Sequence, residues 1–314
     1  MTFQHTPVLL NEVVDLFREH SPARVVDGTL GGAGHSSAIL QALPEASLLG
    51  IDQDPEALQA ARQRLASFAA RAEAVHGNFR EMQRLCREHG WEHVDGILLD
   101  LGVSSHQIDT PERGFSFRFD APLDMRMDPS GTVTAADLLN TCTEKQLADI
   151  FFNYGEEHKA RQVARAVVLR REKEPWKSTG EFAELLEHVI GRAHQHGLPP
   201  ATRCFQALRI AVNNEMDALK EALQAAVTLL APGGLLVVIS FHSLEDRIVK
   251  QFLSYEERTC TCPPDFPVCR CGKVQTMKVL TRKPIVPNDD EIKENPRCAC
   301  SKLRAAIRTT ESEK

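Results

Sequence analysis

The stretch from Val25 to Asp54, VVDGTLGGAGHSSAILQALPEASLLGIDQD, constrains the fold more than any other part of the chain. It reads as a buried strand, a glycine-rich turn, a helix and a second strand that ends in an acid. That order of parts builds the ligand-facing edge of a doubly wound α/β sheet. Val25 and Val26 suit a parallel strand covered on both faces. Gly28, Gly31, Gly32 and Gly34 permit positive φ and close approach of the backbone to a ligand. The turn is expected to open a helix at Ser36, with Ile39, Leu40 and Leu43 facing inward and its first N–H groups aimed back into the pocket. Leu48 to Ile51 forms the second strand, and Asp52 at its carboxyl end is placed to accept both hydroxyls of a ribose. Asp54 and Pro55 then start another helix as N-cap and first-turn residue.

Glycines followed by an acid serve dinucleotides and S-adenosylmethionine alike. A strict G-x-G-x-x-G is missing between Gly28 and His35, so no third glycine lets the helix pack beneath a pyrophosphate. The spacing favours S-adenosylmethionine over a nicotinamide cofactor.

Length allows one large domain or two ordinary ones within 314 residues. A composition of 42% hydrophobic and 25% charged residues excludes the disordered and collagen-like classes. No apolar run reaches membrane-spanning length, and the start, MTFQHTPVLLNEVV, lacks a basic leader region. These features predict a soluble, cytoplasmic protein. The net charge of −6 argues against a uniformly basic nucleic-acid coat and leaves room for local patches. Basic residues gather at Lys159, Arg161, Arg165, Arg170, Arg171, Lys173 and Lys177, and again between Arg258 and Arg308. Each group reads either as a phosphate-binding patch or as a solvated face.

Of nine cysteines, Cys86, Cys142 and Cys204 stand alone among helix-like residues and read as small core residues. The other six form three C-x-C pairs: Cys260 and Cys262, Cys269 and Cys271, Cys298 and Cys300. Four thiolates within CTCPPDFPVCRCG suit a tetrahedral zinc, whereas paired zinc ligands usually have two to four residues between them. The spacing leaves both readings open and fixes no metal ligand.

Farther along, Val75 closes a third strand, with Gly77, Asn78 and Phe79 at its carboxyl end, where an amide and an aromatic ring can frame an adenine. VDGILLD, from Val94 to Asp100, reads as a fourth buried strand that delivers Asp100 to the same sheet edge. From His106 the alternation of strand and helix stops. A long loop carries Phe115, Phe117 and Phe119, which either line a binding loop or pin it to the core. Capping boxes at Thr143 to Gln146 and Ser178 to Glu181 then precede amphipathic helices. Met216 to Leu230 reads as a helix ended by Pro232, Gly233 and Gly234, and Leu235 to Phe241 as a fifth strand. FHSLEDR follows, with His242 and Asp246 as polar candidates for touching a base or relaying a proton, or as a histidine satisfied by its neighbouring acid. Met277 to Leu280 and Leu303 to Ile307 read as the last strands.

Taken in order, HTPVLLNEVV, DGTLGGAGHS, GILLDLGVSS, ERGFSF, DMRMD, YGEE, ATRCFQALRIAVN, LAPGG, SFHSLEDRIVK and NPRCACSKLR resemble one family, the MraW-type methyltransferases that act on cytosine N4 of 16S ribosomal RNA. The resemblance runs from His5 to Arg304 and is specific in its joint order. It implies a class I, Rossmann-like methyltransferase sheet with an inserted α-helical domain. The implied domains are residues 1–105 with 206–314, binding S-adenosylmethionine, and 106–205, recognising the small-subunit RNA substrate. Carried over by motif, the cofactor contacts are Ala33, Gly34, His35, Asp52, Phe79, Asp100 and Gln107. Asp100 is also the implied catalytic group. Many amino-methylating enzymes use Asn/Asp-Pro-Pro-aromatic at this place, where this chain has Asp100-Leu101-Gly102-Val103, so no stacking partner for the base is assigned.

Overall fold

A computed structural model describes residues 7–191, 199–263 and 268–310. His5 and Thr6, which begin the first motif, and residues 264–267 of the cysteine loop lie outside the described residues. In chain order the helices are α1 (Leu10–His20), α2 (Gly34–Ala42), α3 (Pro55–Arg64), α4 (Met82–Glu88), α5 (Ser105–Asp109), α6 (Ala135–Thr141), α7 (Glu144–Asn153), α8 (Ala160–Arg171), α9 (Thr179–Ile190), α10 (Thr202–Asn213), α11 (Glu215–Leu229), α12 (Ser243–Glu256) and α13 (Asp289–Glu294). The strands are β1 (Arg24–Asp27), β2 (Ser47–Asp52), β3 (Ala72–His76), β4 (Val94–Asp100), β5 (Leu230–Ser240), β6 (Met277–Val279) and β7 (Lys302–Arg308).

Two compact units emerge. The first, Met1–Gly102 with Asp217–Lys314, holds the seven strands found among the described residues, in the order β3-β2-β1-β4-β5-β7-β6. β1 to β5 are parallel, and β7 runs antiparallel between β5 and β6. Alternating apolar residues feed two cores: Val26, Leu49, Ile97, Leu99 and Val238 face one way, Val25, Leu48, Leu98, Val237 and Ile239 the other. Burial on both faces explains why these strands read as unbroken apolar runs. The strand order reverses between β1 and β4, the switch point at whose carboxyl ends such sheets hold ligands in a crevice between diverging loops.

The second unit, Val103–Met216, is helical. Its core gathers Leu147, Phe151, Val163, Trp176, Phe182 and Phe205. Phe182 lies edge-on to Trp176 at 5.7 Å and tilted on Phe205 at 5.5 Å. The sequence reading ended this region at residue 205, inside α10. That helix is continuous and buries Cys204, Phe205, Ala207, Leu208 and Ile210. It stops at Asn214, which takes the left-handed conformation (φ 49°) that ends helices.

One boundary expected from sequence is corrected. Pro232, Gly233 and Gly234 do not form a turn after a helix but lie within β5. Leu230 pairs with Val94 and Leu235 with Gly96, so Ala231 to Gly234 bulge opposite Asp95 alone. Helix α2 also begins at Gly34, two residues ahead of the expected start.

Candidate active site

Three acids end neighbouring parallel strands. Asp27 closes β1 and is 2% exposed. Its Oδ1 accepts the Thr29 N–H at 3.1 Å and its Oδ2 accepts the Ser36 hydroxyl at 2.6 Å, which pins the first turn of α2 to the strand end. Between them the chain passes at close quarters: a Cβ on Gly28 would lie 2.6 Å from Leu99 Cδ2 and 3.1 Å from Phe79 Cβ. Gly31, with φ 51°, turns its N–H onto Asp52 Oδ2 at 2.7 Å, and Asp54 N–H reaches Asp52 Oδ1 at 2.8 Å. Burial pushes the Asp52 carboxyl up to about 6, against those two hydrogen bonds. Each of its oxygens keeps a second lone pair for a hydroxyl donor. Ala33 is the N-cap of α2 at φ 57°, a left-handed conformation held by a fully buried methyl group.

His35 and Asp100 form the centre of the edge. His35 Nε2 sits 2.9 Å from the Val8 carbonyl oxygen, which can only accept, so this nitrogen carries hydrogen. Nδ1 then faces Asp100 Oδ2 at 3.5 Å. Burial lowers the His35 pKa and favours the neutral ring, so Nδ1 is an acceptor. Burial first, and the nearby Glu245 second, push Asp100 up to about 7, so a shared proton suits the pair near neutrality. The Asp100 N–H donates to the Thr29 hydroxyl at 2.6 Å, which ties the end of β4 to the glycine turn. Asp100 Oδ1 is buried and has no hydrogen-bond partner among the described residues.

Matched against known families, residues 2–309 fit the MraW methylase family. The chain belongs to the MraW methylase family. A relative in Heliobacterium modesticaldum named ribosomal RNA small subunit methyltransferase H is 52% identical over 309 residues, covering 98% of this chain and 99% of its own length. Relatives of the same name in Carboxydothermus hydrogenoformans and Geobacter sulfurreducens are each 51% identical, over 306 and 308 residues, with 98% of this chain covered in both. They cover 98% and 99% of their own lengths.

Within this MraW-family chain, the sequence-derived residues divide into two groups. Ala33, Gly34, His35, Asp52, Phe79 and Asp100 all lie in the sheet unit, at or just beyond strand ends. Phe79 is partly buried against the core, and Asn78 beside it caps its own turn and donates to the Gln53 side chain at 2.9 Å. Gln107 lies in the helical unit, where its Oε1 accepts the Ser104 N–H at 3.1 Å and closes a capping box at the start of α5. His242 and Asp246 hold secondary structure together. His242 is the N-cap of α12, and its Nε2 is 3.1 Å from Glu245 Oε1. Asp246 pairs with Arg304 at 2.7 Å and Lys302 at 3.3 Å, which together pull its pKa below the usual range despite burial.

Of the three phenylalanines, Phe117 stacks edge-on against Phe205 at 5.0 Å and Phe115 packs on the same core, whereas Phe119 is 55% exposed. The basic group is divided too. Lys159 donates to the Val189 and Ile190 carbonyls at the end of α9, and Arg171 to those of Leu139 and Cys142 at the end of α6. Arg170 pairs with Glu181 and lies 4.3 Å over the Trp176 ring. Arg161, Arg165 and Lys173 are exposed at helical spacing along and just past α8.

The sequence reading missed Asp27, Thr29 and Glu245. Asp27 had the same signal as Asp52, an acid at the end of an apolar strand. Thr29 and Glu245 act through contacts with partners 71 and three or four residues away, the first of which no local pattern announces.

Proposed function

We propose that the chain transfers the methyl group of S-adenosylmethionine to the N4 amine of a cytidine in 16S ribosomal RNA of the small ribosomal subunit. Family membership and near-full-length relatives named as small-subunit RNA methyltransferases support the reaction class. The observation that carries the reading is Asp100 Oδ1, an unpartnered buried oxygen at the switch point of the sheet. Such an oxygen wants a donor, and both the amino group of a methionine moiety and an exocyclic base amine supply one.

The residues present fit the cofactor. After burial, Asp100 helps to raise the pKa of Asp27, Asp27 that of Asp52, and Glu245 that of Asp100, so negative charge gathers along that edge in a field that suits a sulfonium cation. Asp52 would hold the ribose, the backbone from Gly31 to Gly34 and the first turn of α2 the carboxylate, and Phe79 the adenine. When bound, S-adenosylmethionine supplies an electrophilic methyl on a sulfonium that departs as a neutral thioether. Asp100 accepts from N4–H, which localises the amine lone pair otherwise delocalised into the cytosine ring. His35 holds the Asp100 carboxyl in place and shares its proton. The protein's contribution is chiefly alignment in a water-poor edge. The helical unit, with exposed Phe119, Arg161 and Arg165, supplies groups that contact RNA.

Purified small subunits from cells lacking this enzyme, incubated with the chain and radiolabelled S-adenosylmethionine, should yield label in N4-methylcytidine on nucleoside analysis. Label confined to another nucleoside, or to protein, would refute the acceptor.

A further inference from the structure

The described residues between α12 and β6, 257–263 and 268–276, lie in no helix or strand and have little apolar support: Val268 is 64% exposed and Val274 41%. A segment of this length normally needs a staple. Its base is fastened at Glu256, whose carbonyl oxygen accepts the Thr276 N–H at 3.0 Å and whose carboxylate pairs with Lys273 at 2.8 Å. Toward its tip, the Sγ atoms of Cys260, Cys262, Cys269 and Cys271 all lie within 4.8 Å of one another.

We propose that these four thiolates form a structural zinc site. With a Zn–S bond of ~2.3 Å, tetrahedral ligands stand ~3.8 Å apart. The sulfur separations here are 3.3 Å for Cys260 to Cys269, 3.5 Å for Cys269 to Cys271, 3.8 Å for Cys271 to Cys260 and 4.0 Å for Cys262 to Cys269. That spacing suits one ion. An iron–sulfur cluster interposes several atoms and drives its thiolates farther apart. The C-x-C spacing, shorter than usual, still brings the four sulfurs together, because the chain turns back at the first pair and places the Cys262 N–H 3.3 Å from Cys260 Sγ. Backbone N–H groups donate to the sulfurs as they do to charged acceptors: Thr261 to Cys271 and Cys262 to Cys260, both at 3.3 Å, and Arg270 to Cys262 at 3.5 Å. Zinc bound to four thiolates carries two net negative charges, and Arg258, Arg270 and Lys273 lie next to the ligands in sequence. The third C-x-C pair takes no part. Cys298 is buried in the sheet core instead.

The site binds by displacing thiol protons, with no redox step. Its purpose is to fasten the tip of a loop whose described residues bury little apolar surface. The full chain, produced in zinc-supplemented medium and purified without chelator, should contain about one zinc per molecule by plasma emission. Growth on cobalt should give the visible bands of tetrahedral thiolate-bound cobalt. A Cys260→Ser, Cys271→Ser double variant should fall below about a tenth of a zinc per chain and be cut faster by trypsin at Arg258 and Arg270, with the sheet's circular dichroism retained. Folded unsubstituted chain that lacks zinc, holds iron in its place, or shows a Cys260–Cys269 disulfide by intact mass overturns the proposal.

Discussion

Asp100 serves two opposed ends. Its carboxyl is pushed up to about 7 chiefly by burial, yet the ionised form is the stronger acceptor for N4–H. The kcat/KM of methyl transfer should therefore rise with pH through about 7 and level off above it, since that ratio follows the free enzyme. For stability the sign is reversed. A folded pKa raised from 3.8 favours the folded chain fully below about 4, and that contribution is lost as pH climbs through about 7. Asp100→Asn, which cannot ionise and can donate to His35 Nδ1, should melt above the unsubstituted chain at about pH 8, with the gap closing toward about pH 5. Its activity should drop about a hundredfold or more and lose the pH dependence. A variant that keeps both normal turnover and the rise near 7 places the titrating group elsewhere. Asp52 and Asp100 were legible in the sequence because each ends an apolar run, and strand ends are where such sheets place ligands. Asp27 was passed over because an acid before glycine also reads as an ordinary turn residue.

At the scale of elements, local chemistry was read well where it rests on short-range hydrogen bonds. The boxes at Thr143 with Gln146 and Ser178 with Glu181 formed as expected. Ser104 with Gln107, Thr134 with Asp137 and His242 with Glu245 formed as well and were not foreseen. The first heads a helix of five residues, too short to show periodicity, and histidine is not a usual cap. The Ala231 to Gly234 segment was misread because proline and glycine signal a helix end and a strand bulge alike, and only pairing with β4 separates them. Ser178 also forms an antiparallel bridge with Pro122, in the loop holding Phe117 and Phe119. Ser178→Ala should cost the helical unit about 1 kcal/mol, read as a lowered denaturation midpoint at unchanged slope. A midpoint that does not move would show that the cap is idle.

Across the whole molecule, β1, β2, β4 and the second half of β5 could be read from sequence because burial on both faces gives them unbroken apolar runs, whereas β3, with Glu73 and His76 exposed, and β6, with Lys278 exposed, carry a weaker signal. The extent of the helical unit could not be read, since α10 carries no break at residue 205 and its stop at Asn214 depends on one left-handed residue. The central claim concerns the sheet unit's edge, where Gly31 to Gly34 and Asp52 would hold S-adenosylmethionine beside Asp100. Calorimetric titration of the folded chain with S-adenosylmethionine, and with S-adenosylhomocysteine, tests it most directly. One site per chain is predicted for both, with Asp52→Ala binding about tenfold or more weakly, since a hydrogen bond to a charged group carries ~1.5–3 kcal/mol. A folded chain that takes up neither compound, or an Asp52→Ala variant that binds both unchanged, contradicts it.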